Sequence, residues 1–218
     1  MKHGTIAMLV LLLSVSLLSM AGTGPDAYKI GSKVENFTLM GVDGKPYTLY
    51  RYLDIPGSKG VLLMFVSWQC PVSNNCNGRY IKIAEFCKKN GITFLGINPN
   101  TVYYDGPDAK VLEEAQKAGF NFPVLRDLNE TICDLFAAVA TPTAILIDTN
   151  RTLRYRGRID NAHGRVGTPQ PPITDPTLMN ALNQFLAGKE LSVTDVRSVG
   201  CAIKRLSEYY DPSKDVKY

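Results

Sequence analysis

The sequence predicts an α/β fold, a central mixed sheet flanked by helices, with a β-hairpin ahead of it and a partly irregular tail behind. Three observations lead there. The continuous apolar run at residues 61–66 reads as a strand buried on both faces, and Ile92-Thr93-Phe94-Leu95-Gly96-Ile97 reads as a second buried strand. Between and after them, apolar residues recur at spacings of three and four, the helical period. Further on, two extended segments flank Asp148-Thr149-Asn150 and read as an antiparallel pair. Strands alternating with helices, then adjacent antiparallel strands, give a mixed sheet covered on both sides.

Taken in order, residues 34–52 read as the hairpin. Phe37 and Leu39 alternate with polar neighbours, Asp43-Gly44 is a turn signal, and Tyr47 and Leu49 resume the alternation. After the strand at 61–66, Pro71 suits the first position of a helix running to about Asn90. Val72, Cys76, Tyr80, Ile83 and Cys87 line one face of it, and Gly91 ends it. Beyond the strand at 92–97, a polar loop at 98–107 leads to a helix over 108–118 with Asp108 as N-cap. Residues 122–125 are a short extended piece. Ile132, Leu135, Phe136 and Val139 predict a helix over 129–139. Strands at 143–147 and 153–159 form the later hairpin. Glycine and proline mark 164–176 as loop, and a helix over 176–187 stops at Gly188.

Residues 1–21 have the layout of a secretory leader. Lys2 and His3 precede an apolar stretch from Ile6 to Leu18, and Ser19 and Ala21 stand where a signal peptidase reads small residues. The stretch is short of the roughly 20 residues that span a bilayer, although an uncleaved anchor is the alternative. Cleavage near Ala21 leaves just under 200 residues, one domain's worth, divided as a domain at 28–188 and a tail at 189–218. The formal charge of +4 includes Lys2, and no basic run or Arg-rich helix follows, which argues against nucleic acid as a partner. No second apolar segment approaches membrane length.

The chemistry centres on sulfur. Cys70, Cys76, Cys87, Cys133 and Cys201 all follow the leader, and their odd number leaves at least one thiol unpaired within an exported chain. Cys70 stands where a buried strand gives way to Pro71, so its sulfur meets the free N–H groups of a helix start, which favour the reactive thiolate. A buried structural cysteine is the alternative. Cys87 and Cys133 fall among apolar neighbours and read as core. Six residues along an intact helix would separate Cys70 from Cys76 by about 9 Å and turn them nearly opposite ways. That exceeds the roughly 7 Å that a disulfide allows between Cα atoms, so joining the two would require the first turn to unwind.

These features together resemble the thioredoxin fold. More narrowly, the chain is similar to the peroxiredoxin-like redoxins of the alkyl hydroperoxide reductase/thiol-specific antioxidant type, in their exported Cys-Pro-x-Ser-Asn subset. The matching segments are Cys70-Pro71-Val72-Ser73-Asn74, Gly96-Ile97-Asn98-Pro99-Asn100, Leu125-Arg126-Asp127, Ala140-Thr141-Pro142-Thr143, Tyr155-Arg156-Gly157-Arg158-Ile159-Asp160, Leu186-Ala187-Gly188-Lys189 and Gly200-Cys201-Ala202-Ile203-Lys204. The resemblance implies a cis Pro142 that presents the Thr141 backbone beside Cys70. It also implies support from Ser67 and Pro71, and makes Cys201 a candidate resolving thiol ahead of Cys76. Two departures stand out. Ser73 and Ser67 occupy the positions that would complete a Cys-x-x-Cys, and Leu63 stands where the family's peroxide-binding motif has proline. The motif's distant arginine is open between Arg126 and Arg156.

The expected function is therefore an exported thiol oxidoreductase with Cys70 as redox nucleophile, acting by thiol–disulfide exchange or slow peroxide reduction and served by an external reductant. It needs no cofactor and no metal. A binding module that kept the fold without the chemistry is the first alternative. A Sco-like copper-handling protein is the second, with His163 as the distant ligand. Asp127 and Asp160, each near arginine, read as surface ion pairs or caps.

Overall fold

The computed structural model describes residues 27–100, 102–163 and 170–206. The predicted leader, the loop residues 164–169 and the last twelve residues of the tail lie outside them. The chain begins with β1 (Thr38–Gly41), β2 (Pro46–Thr48), α1 (Leu49–Leu53) and β3 (Gly60–Phe65). Next come α2 (Pro71–Asn74), α3 (Asn77–Lys89), β4 (Ile92–Asn98), α4 (Val102–Asp105), α5 (Asp108–Lys117) and β5 (Val124–Arg126). Then follow α6 (Thr131–Leu135), β6 (Ala140–Thr141), β7 (Thr143–Asp148), β8 (Leu153–Gly157), α7 (Thr177–Leu186), β9 (Asp195–Val196) and β10 (Cys201–Ala202).

Eight strands form one mixed sheet in the order β2-β1-β5-β4-β3-β7-β8-β9, and β10 pairs with β6 apart from it. β3 is central, parallel to β4 and antiparallel to β7. Its apolar run has no polar face because both faces are covered. Val61, Leu63 and Phe65 enter one core with Leu49, Leu53, Ile132, Phe136 and Ile203. Leu62, Met64 and Val66 enter the other with Tyr80, Ile83, Cys87, Leu178 and Leu182. Burying each such side chain contributes about 1.5–3 kcal/mol, which makes β3 the strand least free to move. The architecture is the expected α/β sheet with helices on both sides.

Several elements differ from the sequence reading. The first hairpin ends at Thr48, and Leu49 opens α1. Leu49 and Leu53, four apart, bury on one face of that helix, while the Asn36 side chain accepts the Tyr50 N–H at 3.0 Å. The long helix from Pro71 is broken into α2 and α3. Asn74 and Asn75 are weak helix formers, and the break is held by side chains: Asn74 Nδ2 donates to Trp68 O at 2.6 Å, and Gln170 Nε2 donates to Asn75 O at 2.9 Å. Pro107, not Asp108, is the N-cap of α5, and Asp108 lies in the first turn, 3.7 Å from Arg126 Nε. The predicted helix at 129–139 shrinks to α6, because Glu130 and Ala137 adopt left-handed conformations at its two ends. The loop at 98–107 contains α4, and the later hairpin's second strand stops at Gly157.

Neither aspartate near arginine is a surface group. Asp127 is 1% exposed and accepts the Ile132 and Cys133 N–H groups at 3.1 and 2.7 Å, so it caps α6 from within. Asp160 is 3% exposed and receives Arg79 Nη1 at 2.7 Å on each oxygen, tying α3 to the segment after β8. Removing one partner of such a pair leaves the other's charge poorly solvated. Asp160→Ala is accordingly expected to lower unfolding stability by roughly 3 kcal/mol in urea titration, whereas Lys117→Ala, which removes an exposed ion pair with Glu113, should change it little.

Candidate active site

The site lies at one edge of the sheet, where β3, β4 and β5 end and β7 begins. Parallel pairing sets Phe65 beside Ile97, and antiparallel pairing sets it beside Thr143. The chain leaving β3 (Ser67 to Cys70), the chain leaving β4 (Asn98 to Asn100) and the Thr141-Pro142 segment entering β7 therefore converge. The Thr141–Pro142 bond is cis.

Cys70 is the N-cap of α2, with Pro71 at the first helical position. Its Sγ accepts the Ser73 N–H at 3.3 Å and donates to the Thr141 carbonyl at 3.2 Å. Ser73 is itself held: its Oγ accepts the Ser67 N–H at 3.1 Å and lies 2.9 Å from Tyr80 Oη. The helix behind Cys70 is one turn long, so a single backbone N–H, not an extended dipole, meets the sulfur. Cys70 is 1% exposed, where the sequence reading expected an open thiol.

The tail covers it. β10 runs antiparallel to β6, with Cys201 opposite Thr141 and Ala202 opposite Ala140. Cys201 thus lies across the same Thr141 that receives the Cys70 thiol. Burial first, and then the neighbouring Cys70 thiol, push the Cys201 thiol up to about 11, while a Val72 backbone contact works the other way. Gly200 makes this docking possible. A Cβ there would overlap Thr141 O and sit 3.3 Å from Pro142 Cδ, and a backbone oxygen cannot swing aside as the end of a flexible side chain can.

The other cysteines do something else. Cys76 caps α3 at the helix break and donates to Val72 O at 3.2 Å; burial, opposed by Arg79, pushes its thiol up to about 11. Cys87 and Cys133 are fully buried, as expected, and burial raises each to about 12. All five thiols are unbridged. Of the two open arginines, Arg156 ties β8 to Asp195 and to the Tyr28 and Phe136 carbonyls. Arg126 is nearer the site, since its Nη2 donates to Asn100 O at 3.3 Å. Leu63 is core within β3. His163 lies beyond β8, next to the Ala162 carbonyl that Arg79 binds, and burial lowers its pKa. Among the described residues, no three His, Cys, Asp or Glu side chains converge as a metal site.

Asn98 and Asn100, which the sequence suggests only as a rim near the site without chemistry, form with Asp105 a buried polar cluster beside Ser67. Asn98, Asn100 and Asp105 are at most 3% exposed. Asn100 Nδ2 donates to Ser67 Oγ at 2.7 Å and to Asp105 Oδ2 at 2.8 Å, and Asn98 Nδ2 donates to the same carboxylate oxygen. Asn100 Oδ1 accepts the Lys204 N–H from the tail at 3.2 Å. The one available signal was a pair of asparagines at and just beyond the end of the predicted buried strand.

A mixed sheet with a helix-capping cysteine against a cis-proline segment is the thioredoxin-like fold. The chain belongs to the AhpC/TSA family, whose profile matches residues 30–156. It is 25% identical over 148 residues to the thiol-disulfide oxidoreductase ResA of Geobacillus thermodenitrificans, covering 67% of this chain and 80% of that one. Among solved structures, the hypothetical protein SMc02350 of Sinorhizobium meliloti is 27% identical with a TM-score of 0.73, covering 84% of this chain and 97% of that one. The exposed lipoprotein thioredoxin Etrx1 of Streptococcus pneumoniae, 22% identical over 71% of this chain and 99% of its own, shares the fold with a TM-score of 0.50. No described helix is long and apolar enough to cross a membrane.

Two outcomes follow from the docked tail. Gly200→Ala is expected to lift β10, destabilising the protein by about 1–3 kcal/mol and speeding alkylation of Cys70 in the native state. The Cys201 thiol form is favoured by folding, since about 11 exceeds the ordinary 9.0. Its contribution to docking is therefore full below about 9 and lost as pH rises through about 11. Alkylation of Cys201 should follow that raised value in the native protein and a lower one in Cys70→Ser.

Proposed function

We propose that this protein is an exported thiol–disulfide oxidoreductase in which Cys70 is the nucleophile and Cys201 the resolving thiol. The observation that carries the reading is the placement of both thiols at one backbone residue, Thr141: Cys70 hydrogen-bonds to its carbonyl and Cys201 is its cross-strand partner. In the exchange, the Cys70 thiolate attacks a substrate disulfide, forming a mixed disulfide and releasing one substrate thiolate. Cys201 then gives up its proton and attacks the Cys70 sulfur, releasing the second substrate thiol and leaving a Cys70–Cys201 disulfide. An external dithiol reductant returns the pair to the reduced state.

The missing Cys-x-x-Cys is thus replaced by a second sulfur from the far end of the chain. Cys76 is the weaker resolving candidate, its thiol being committed to the Val72 carbonyl in the core on the α3 side. Ser67, Pro71, Thr141 and Pro142 act as support, holding the turn around Cys70. The same sulfur would reduce a peroxide slowly, passing through a sulfenic acid that Cys201 condenses with, releasing water. Thiol–disulfide substrates fit better, because Leu63 keeps β3 apolar where a peroxide site would need its proline, and because relatives such as ResA carry that activity in their names. Export follows from the leader at 1–21, and the domain from 28 to 188 works together with its tail.

Mass-spectrometric mapping of the oxidised, exported protein is expected to find Cys70 joined to Cys201 and an N-terminus just after Ala21. In disulfide-reduction assays Cys70→Ser should be inactive, and Cys201→Ser should accumulate a mixed disulfide on Cys70. Equal inactivity of the wild type and Cys70→Ser would instead mark a binding module. Stoichiometric Cu(I) binding lost in His163→Ala would mark a copper-handling protein.

A further inference from the structure

We infer that Asn100 is a positioning residue that holds the tail in register so that Cys201 lies over Cys70; this rests on the Cys70–Cys201 reading above. One side chain makes three bonds in three directions. Its Oδ1 accepts the N–H of Lys204, three residues after Cys201. Its Nδ2 donates to Ser67 Oγ, three residues before Cys70, and to the Asp105 carboxylate. Asn100 thereby ties the strand bearing one sulfur to the turn bearing the other.

The surroundings fix that side chain. Asn100 is 1% exposed, so its amide has no competing water to turn toward. Asp105 accepts from both Asn98 and Asn100 on one oxygen, and Arg126 donates to the Asn100 carbonyl. The amide's orientation follows from these partners: its nitrogen faces the carboxylate and the serine, which leaves the oxygen toward the tail. The remaining tail contacts act elsewhere. Ser198 accepts from Thr143, Ile203 N–H reaches Val139 O, and Arg205 pairs with Asp134 at 2.7 Å. They keep the tail on the protein when Asn100 is altered, so the loss should show as misplacement of Cys201 and not as detachment.

The quantity to measure is the equilibrium constant for forming the Cys70–Cys201 disulfide against dithiothreitol, which reports the effective concentration of one thiol at the other. Asn100→Ala is expected to lower it about 3- to 10-fold, the worth of one net hydrogen bond, and to speed exchange of the Lys204 amide proton. Asn98→Ala takes a donor from the same Asp105 oxygen while leaving the Asn100 bond to the tail in place; it should leave the constant within about twofold of the wild type. If Asn100→Ala does not fold, Asn100→Ser, too short to bridge both partners, takes its place with the same expected fall. An unchanged constant in the Asn100 variants, or an equal fall in Asn98→Ala, overturns the positioning role and leaves the proposed chemistry intact. A wild type that forms no Cys70–Cys201 disulfide overturns the chemistry itself.

Discussion

The Thr141 carbonyl is the point on which the site depends. It accepts the Cys70 thiol, faces Gly200 closely enough to exclude any side chain there, and belongs to the residue opposite Cys201. A backbone carbonyl in the interior must have a partner or cost free energy, and here its surroundings bring two thiols together. A shift of this one group would disturb the Cys70 hydrogen bond and the tail's docking at once.

The fold makes that precision possible by placing the carbonyl beside its most constrained strand. β3 is buried on both faces and paired on both edges, and β7 starts immediately after Pro142 in register with it. The tail is held by less of the sheet, since its β10 is only two residues long and stands outside the main sheet. Ladders that short have few hydrogen bonds to lose, so the tail belongs to the part of the molecule that opens before the core does. Under the proposed chemistry, an enclosed Cys70 and a reactive Cys70 would be compatible on that basis: the core would position the sulfur, and the tail would govern access to it.

What could be read from the sequence tracks where the physical signal is local. The buried strands, the turn at Asp43-Gly44 and the start of α2 at Pro71 are set by periodicity, turn chemistry and a fixed φ, and all are found. Leu49 misled because strand alternation and the first residue of an amphipathic helix look alike over so few positions. The break at Asn75 was hidden because apolar spacing continues across it, while one of the groups that hold it, Gln170, is distant in sequence. Cys70, Thr141, Pro142 and Cys201 were visible as residues, although their meeting depended on β6–β10 pairing that two-residue strands do not announce. Asp105 was invisible: a charged residue in a polar loop gives no sign that Asn98 and Asn100 will bury it.

The long path between the two sulfurs has a consequence of its own. A bond between Cys70 and Cys201 would close a ring of about 130 residues, containing five of the eight strands of the main sheet. Cross-links of that span restrict a denatured chain by an amount corresponding to about 4–5 kcal/mol in the chain-entropy account. Each turnover would then alter the durability of the whole molecule along with the state of its sulfur. The oxidised form would survive heat and proteases that the reduced form does not, and the ambient thiol balance would help set the protein's lifetime.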